Sequence, residues 1–502
     1  MGTERCNFAR SRRAVLAAAA LGLLGCLLPL GACSGPDVTL EHVKYMVMFD
    51  SDGAPVDPLD PLAGYFFKYE PLDDKPREAQ RLFTNWVGRI VNGIEDSGQD
   101  KVLVFIHGGL NEQPESIQRV IDLHDDILAD GYYPIFVNWQ SNLISSYRDH
   151  LLFVRRGHDV GWWGTLLSPF YLLADVASGL FLLPMVVWEQ GNEALEVADW
   201  ADYPVRKHAD DASERMAGAL PIVQARQEEA VNFHWGRFWL TLIVKPLSLF
   251  VVQAAGTGSW EIMQGRVAAL FHRQVDLEGD DVEREPHGLL YLMRALHDLQ
   301  LERAAQGRPL EVTLVGHSMG TIVANRLLAF SQLAQLEGRV QEDLSVEASL
   351  PSFRNIVYLA AACSVGAYQQ SVTPYMLHDT STRFFHVVLD PDDEIAELNL
   401  EDLSPRGSLL VWIDDFLANP TSPLERTAGR YDNLMATLYD TPPSIRDRVH
   451  VYVLPRDDRG VPHRHGDFTD PGETKGRYRF WRPEAWWPHW SGDGQPLRPP
   501  AP

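Results

Sequence analysis

Ser318 sits in the run Gly316-His317-Ser318-Met319-Gly320. An apolar segment, Val312 to Val315, precedes it, and Ile322, Val323, Leu327 and Phe330 follow at helical spacing. No loop residues separate the two patterns, so the turn between strand and helix must be very tight. A residue at its apex is forced into strained backbone angles, with its side chain pushed out of the sheet. Glycine on either side removes the methyl groups that would collide there. This G-x-S-x-G spacing describes a nucleophile elbow. A serine hydroxyl is a poor nucleophile at neutral pH. It needs a base in hydrogen-bond reach, a group that orients the base, and N–H donors aimed at the developing oxyanion.

Each of those parts has candidates at the end of another apolar run. The segment Phe105-Ile106-His107-Gly108-Gly109-Leu110 places two glycines directly after a strand pattern. The N–H groups of Gly109 and Met319 are the expected oxyanion donors, with Leu110 the alternate to Gly109. His107 is read as shaping that loop rather than as the base. The run ending at Leu389 is followed by Asp390-Pro391-Asp392-Asp393-Glu394. Asp393 is the expected acid. Asp390 and Asp392 are alternates whose more usual role is a cap or turn. The base is sought after the last apolar run, where His463 and His465 share a loop. His465 is preferred because Gly466-Asp467-Phe468 gives it a flexible and then anchored neighbourhood. A zinc site built from His463, His465 and Asp467 is the rival reading, but no third histidine motif supports it. The expectation is no metal.

The parts occur in the order Ser, Asp, His. With "HGG", "GHSMG", "DPDD" and "HGDF" in place, the chain resembles the α/β-hydrolase superfamily over roughly residues 40–140 and 286–470. The resemblance implies attack by Ser318, an acyl-enzyme, and hydrolysis by water activated by His465. It implies no cofactor. It says little about substrate, because one fold hosts many reactions.

These residues need a scaffold, and the apolar runs supply one. Val43–Phe49, Lys101–His107, Tyr132–Trp139, the elbow strand, Arg354–Ala361, Arg383–Leu389 and Arg448–Leu454 are rich in β-branched and aromatic residues and nearly continuous in apolarity. Helical patterns separate many of them, as over Glu115–Gly131. That is the signature of an α/β fold with a mostly parallel central sheet and helices on both faces. We divide the chain into an export signal (1–32), a first part of the core (33–140), a largely helical apolar insertion (141–285), a second part of the core (286–470) and a Trp/Pro-rich tail (471–502). The insertion holds Gly161–Trp188 and Phe238–Val252, two apolar blocks. A lid or membrane-docking surface is the preferred reading, ahead of a packed cap and of a transmembrane hairpin. Asp175, Pro169 and Pro184 interrupt the first block, and Lys245 and Pro246 the second. The tail tryptophans read as a strap packed on the body.

The first residues carry Arg5, Arg10, Arg12 and Arg13 ahead of the apolar stretch Ala14–Leu30. Ser11-Arg12-Arg13-Ala14-Val15-Leu16 resembles a twin-arginine export motif, and Leu30-Gly31-Ala32-Cys33 resembles a bacterial lipobox. Cys33 is the expected lipidation site, preferred over Cys26, and the protein is expected at the outer membrane or periplasmic face. With 44 Lys and Arg against 68 Asp and Glu, the chain is acidic, which argues against a nucleic-acid partner. Removing residues 1–32 takes away four Arg and one Glu and leaves it more acidic still. Membrane contact must then come from acyl chains and apolar surface. Cys363 reads as a small buried hydrophobe. The expected function is a serine hydrolase of carboxylic esters, lipid or acyl esters above all, anchored at a bacterial membrane. The alternatives are a peptidase, amidase or acyltransferase with the same triad, and a non-catalytic lipid- or partner-binding lipoprotein.

Overall fold

Seven segments of alternating or continuous apolar residues pair as one parallel sheet. They are β1 (Met46–Phe49), β2 (Lys101–Ile106), β3 (Tyr133–Trp139), β4 (Glu311–His317), β5 (Phe353–Leu359), β6 (Arg383–Val388) and β7 (Val449–Val453). Their spatial order is β1-β3-β2-β4-β5-β6-β7, and a short segment, Ile222–Gln224, adds in parallel beyond β7. The computed structural model describes residues 36–59, 76–109, 113–197, 222–224, 252–337, 350–397, 407–434, 441–455, 460–469, 478–487 and 490–496, with short breaks inside some of these ranges. The export segment, Cys33, Leu110 and residues 238–251 of the second apolar block lie outside the described residues.

Nearly every strand side chain is buried, as a sheet covered on both faces requires. The helices that cover it are α1 (Pro76–Ser97), α2 (Gln113–Ala129), α6 (Gly288–Ala305), α7 (Gly320–Glu337) and α8 (Val365–His378), with α3 to α5 described below. On one face, the Tyr358 hydroxyl of β5 donates to Asn325 of α7 at 2.6 Å. On the other face one register row crosses six strands: Phe136, Phe105, Val315, Val357, Phe385 and His450. Residues 478–487 lie against that row. Phe480 packs on Phe105 with ring centroids 4.6 Å apart, Trp486 on Phe385 at 5.5 Å and Trp487 on His450 at 4.9 Å. The strap therefore spans the sheet from β2 to β7. Beside Phe480, Asp130 at the end of α2 accepts from Arg479 (2.9 Å), Trp481 Nε1 (2.7 Å) and Arg482 Nε (2.6 Å).

Between β3 and α6 the described chain is mainly helical: α3 (Leu143–Leu152), α4 (Trp162–Val197) and α5 (residues 254–269), with a hairpin of His272–Asp276 and Val282–Pro286 before α6. Arg266 of α5 joins this layer to α3, donating to Asp149 at 2.6 Å and to Ser146 at 2.9 Å. Tyr147 and His150 of α3 contact Asp175 of α4. Asp175 apart, the inward side of α4 is small or apolar, with Val176 packed on Tyr147 and Leu151. Its outward side is apolar too. Trp163, Leu166, Leu167, Phe170, Leu173, Leu180 and Phe181 recur at helical spacing and stay exposed, Phe170 at 69% and Phe181 at 84%. Among the described residues no helix is long and apolar enough to cross a membrane.

Candidate active site

The carboxyl edge of the sheet gathers the chemically capable residues. β4 ends at His317, Ser318 and Met319 make the turn, and α7 begins at Gly320. Ser318 has φ of 51°, the left-handed region that a side chain other than glycine rarely adopts. Its neighbours hold it there. Its N–H donates to Leu359 O at the end of β5 (2.9 Å), and its carbonyl accepts from Ala362 N (3.1 Å) and from the Thr321 hydroxyl (2.7 Å). The Thr321 hydroxyl in turn accepts from Cys363 N at 3.1 Å. The tightness of the turn explains Gly320: a methyl group there would stand 2.1 Å from Ile106 O.

The loop after β2 runs directly along this turn. A Cβ on Gly108 would stand 2.7 Å from Ser318 Cβ, and one on Gly109 would stand 2.6 Å from Met319 Sδ. Gly108 is thus the residue that lies on the serine, with Gly109 against its neighbour. Met319 N–H directly precedes α7, at a helix start where intrahelical acceptors are lacking. His107 uses both ring nitrogens on the scaffold. Nδ1–H donates to Gly108 O at 2.8 Å, and Nε2 accepts from Trp139 N at 3.1 Å. Burial drives its pKa down to about 3, so it is neutral and fixed in one tautomer.

The acid and base candidates meet on the other side of the turn. β6 leads into a short helix, α9 (Pro391–Ala396). Asp390 is its N-cap, accepting from Asp392 N at 2.9 Å, so Asp390 is engaged as a cap. Asp393 Oδ2 lies 2.8 Å from Nδ1 of His463. The expected acid, Asp393, is therefore paired with the alternate histidine, His463, rather than with His465. The cause is the turn that follows. Asp467 accepts from Arg464 N (3.0 Å) and His463 N (3.3 Å) and closes the helical turn His465–Phe468. That turn directs the His465 ring inward, 5.1 Å from the ring of His317, where burial lowers its pKa to about 4. Among the described residues neither nitrogen of His465 has a hydrogen-bond partner, and neither does Ser318 Oγ. The backbone of His465 is well held: its carbonyl accepts from His317 Nε2 at 3.1 Å and its N–H donates to Glu397 at 2.9 Å.

Asp467 spends its carboxylate on the backbone, and no group of three His, Cys, Asp or Glu side chains able to hold a metal occurs among the described residues. The chain matches no family model, no curated protein and no solved structure. Only its own geometry bears on what it does. Glu394, absent from the sequence argument as a site residue, is buried behind Asp393, accepts from the Ser408 hydroxyl at 2.9 Å, and is pushed up to about pKa 8, chiefly by burial. Neighbouring Asp414 accepts from Thr427 N, Arg430 and Asn433 at 2.8–3.2 Å. The Glu394–Ser408 bond braces the segment that carries Asp393, and the Asp414 contacts tie residues 427–433 together beside it.

The helical layer closes over the same loops. Met263 of α5 lies beside Gly109, Thr257 accepts from Asn419 at 2.8 Å, and α4 packs on α9. Ser318 is fully buried beneath them. A cleft of about 560 Å³ lined by Lys44, Tyr45, Arg89, Asp96 and Gln99 opens at the opposite, amino edge of the sheet.

Proposed function

We propose that the chain is an α/β hydrolase that cleaves carboxylic esters through a covalent acyl-enzyme. Ser318 is the nucleophile, His463 the base, and Asp393 the group that orients the base. The N–H groups of Gly109 and Met319 receive the oxyanion. The observation that carries this reading is the Asp393–His463 pair, held on a loop that docks through His465 onto His317, the residue beside a serine at φ of 51°. In the reaction, His463 Nε2 takes the Ser318 proton as Oγ attacks the carbonyl carbon. The imidazolium then returns the proton to the departing alcohol, and a water activated by His463 releases the acid. Among the described residues no protein hydrogen bond engages Ser318 Oγ, so on this reading substrate entry parts the helical layer and brings Oγ and imidazole together.

The exposed apolar stripe on α4 supports a lipid or long-chain acyl substrate presented at a membrane, with the lipid on Cys33 as the anchor. The experiment compares wild type with Ser318→Ala on p-nitrophenyl esters of graded chain length. The expected result is a loss of at least about 10³-fold in kcat/KM and a preference for long chains. Equal turnover by the two proteins ends the proposal. A preference for short chains removes the lipid part alone.

A further inference from the structure

Two carboxylates, Asp393 on α9 and Glu397 directly after its last residue, reach two alternate residues of the histidine loop. Asp393 and Glu397 are four apart, so they lie on one side of a helical turn. His463 and His465 are two apart in an irregular segment. Asp393 Oδ2 meets His463 Nδ1 at 2.8 Å, and Glu397 Oε2 accepts His465 N–H at 2.9 Å. On its far side the His465 carbonyl accepts from His317 Nε2 at 3.1 Å. His465 is thus gripped through its backbone from both directions, while its ring has no hydrogen-bond partner among the described residues. The gripping helix is itself fastened: Gly407 N donates to Glu397 O at 3.0 Å, and Ser408 N to Glu394 O at 2.7 Å.

We propose that Glu397 is a positioning residue whose carboxylate, by holding the His465 amide, sets the reach of His463 toward Ser318 and makes that reach depend on pH. This rests on the reading of His463 as the base. An ionised carboxylate accepts an N–H hydrogen bond more strongly than a neutral acid does. Glu397 changes form near neutrality. Burial raises its pKa to about 7, with Asp467 adding to the rise and the His465 N–H and Arg464 opposing it. Glu394 acts on it from α9, and Asp467 and Arg464 act on it from the histidine loop. Above neutral pH the grip is tight and the base is in register. Below it the acid form holds the loop more weakly.

The test compares wild type with Glu397→Gln, which keeps the shape and offers a neutral acceptor at every pH. The rate of Ser318 labelling by a fluorophosphonate is followed from pH 5.5 to 8.5, with Ser318→Ala as the blank. Titration of His463 affects both proteins and cancels in their ratio. Wild type is expected to label about tenfold faster than the variant at pH 8.5, and the ratio to fall toward one at pH 5.5. A ratio that stays constant with pH, at any value, overturns the proposal. Thermal unfolding supplies the second readout. The folded pKa lies above the unfolded value of about 4.3, so the stability linked to the protonated acid is lost as pH rises through 7. Glu397→Gln should therefore gain in Tm relative to wild type between pH 5.5 and 8.5, and a flat difference also counts against the proposal. If wild type and Ser318→Ala label alike, the hydrolase reading falls and takes this role with it. If labelling needs Ser318 but the ratio ignores pH, only the role of Glu397 falls.

Discussion

The corner at Asp130 and the corner at Ser318 treat polar atoms in opposite ways. At Asp130 three donors from the strap, Arg479, Trp481 and Arg482, converge on one carboxylate and hold it down to a pKa of about 2, the Arg482 contact contributing most. At Ser318 the hydroxyl, the Nδ1 of His317 and both nitrogens of His465 are buried with no hydrogen-bond partner among the described residues. Burial without a partner costs about 1–3 kcal/mol per group. The first corner is arranged for stability. The second tolerates a cost that is explained if substrate or a moving loop supplies the missing partners.

That contrast can be broken at either corner. The largest effect is expected at the histidines. His463→Ala should lower ester kcat/KM by at least about 10³-fold, whereas His465→Ala, which leaves the backbone grip in place, should cost far less. Equal losses for the two would erase the distinction drawn from the Asp393 contact. Next comes the strap. Trp486 is fully buried against Phe385, so Trp486→Ala should destabilise the fold by about 3–5 kcal/mol, read as a lower midpoint in denaturant, with little change in activity at low temperature. The smallest effect is Asp130→Asn, expected to cost about 1–3 kcal/mol at pH 7. Its pH dependence has a definite sign. The folded pKa lies below the unfolded one, so the stability is present above about pH 4 and is lost as pH falls through 2. The gap between wild type and Asp130→Asn should therefore close on acidification. A gap that persists at pH 2 would mean that the carboxylate charge is not what the arginines hold.

The sheet was legible because each strand carries its own evidence. Runs such as Lys101–Ile106 and Arg383–Val388 are buried on both sides and so apolar at nearly every position. Their ends moved by a residue or more: Val43 to Tyr45 form a 3-10 turn ahead of β1 rather than its first residues. The elbow was legible because its glycines answer a steric demand made within five residues. The choice between His463 and His465 was not, since both stand on one loop and only the turn closed by Asp467 decides which ring faces Asp393. Glu397 escaped notice for a similar reason. Its four-residue spacing from Asp393 is visible in the sequence, but its partner is a backbone N–H, which leaves no mark on residue type. The strap was expected, yet its crossing from β2 to β7 depends on register across six strands, a property of the assembled sheet alone.

That crossing bears on how the molecule is made. Residues 480–487 leave the ribosome only after every strand of the sheet has been synthesised, so Phe105, Phe385 and His450 wait uncovered until then. During that interval the nascent chain shows a greasy row to whatever is nearby, and a chaperone able to shield it would raise the yield of native protein.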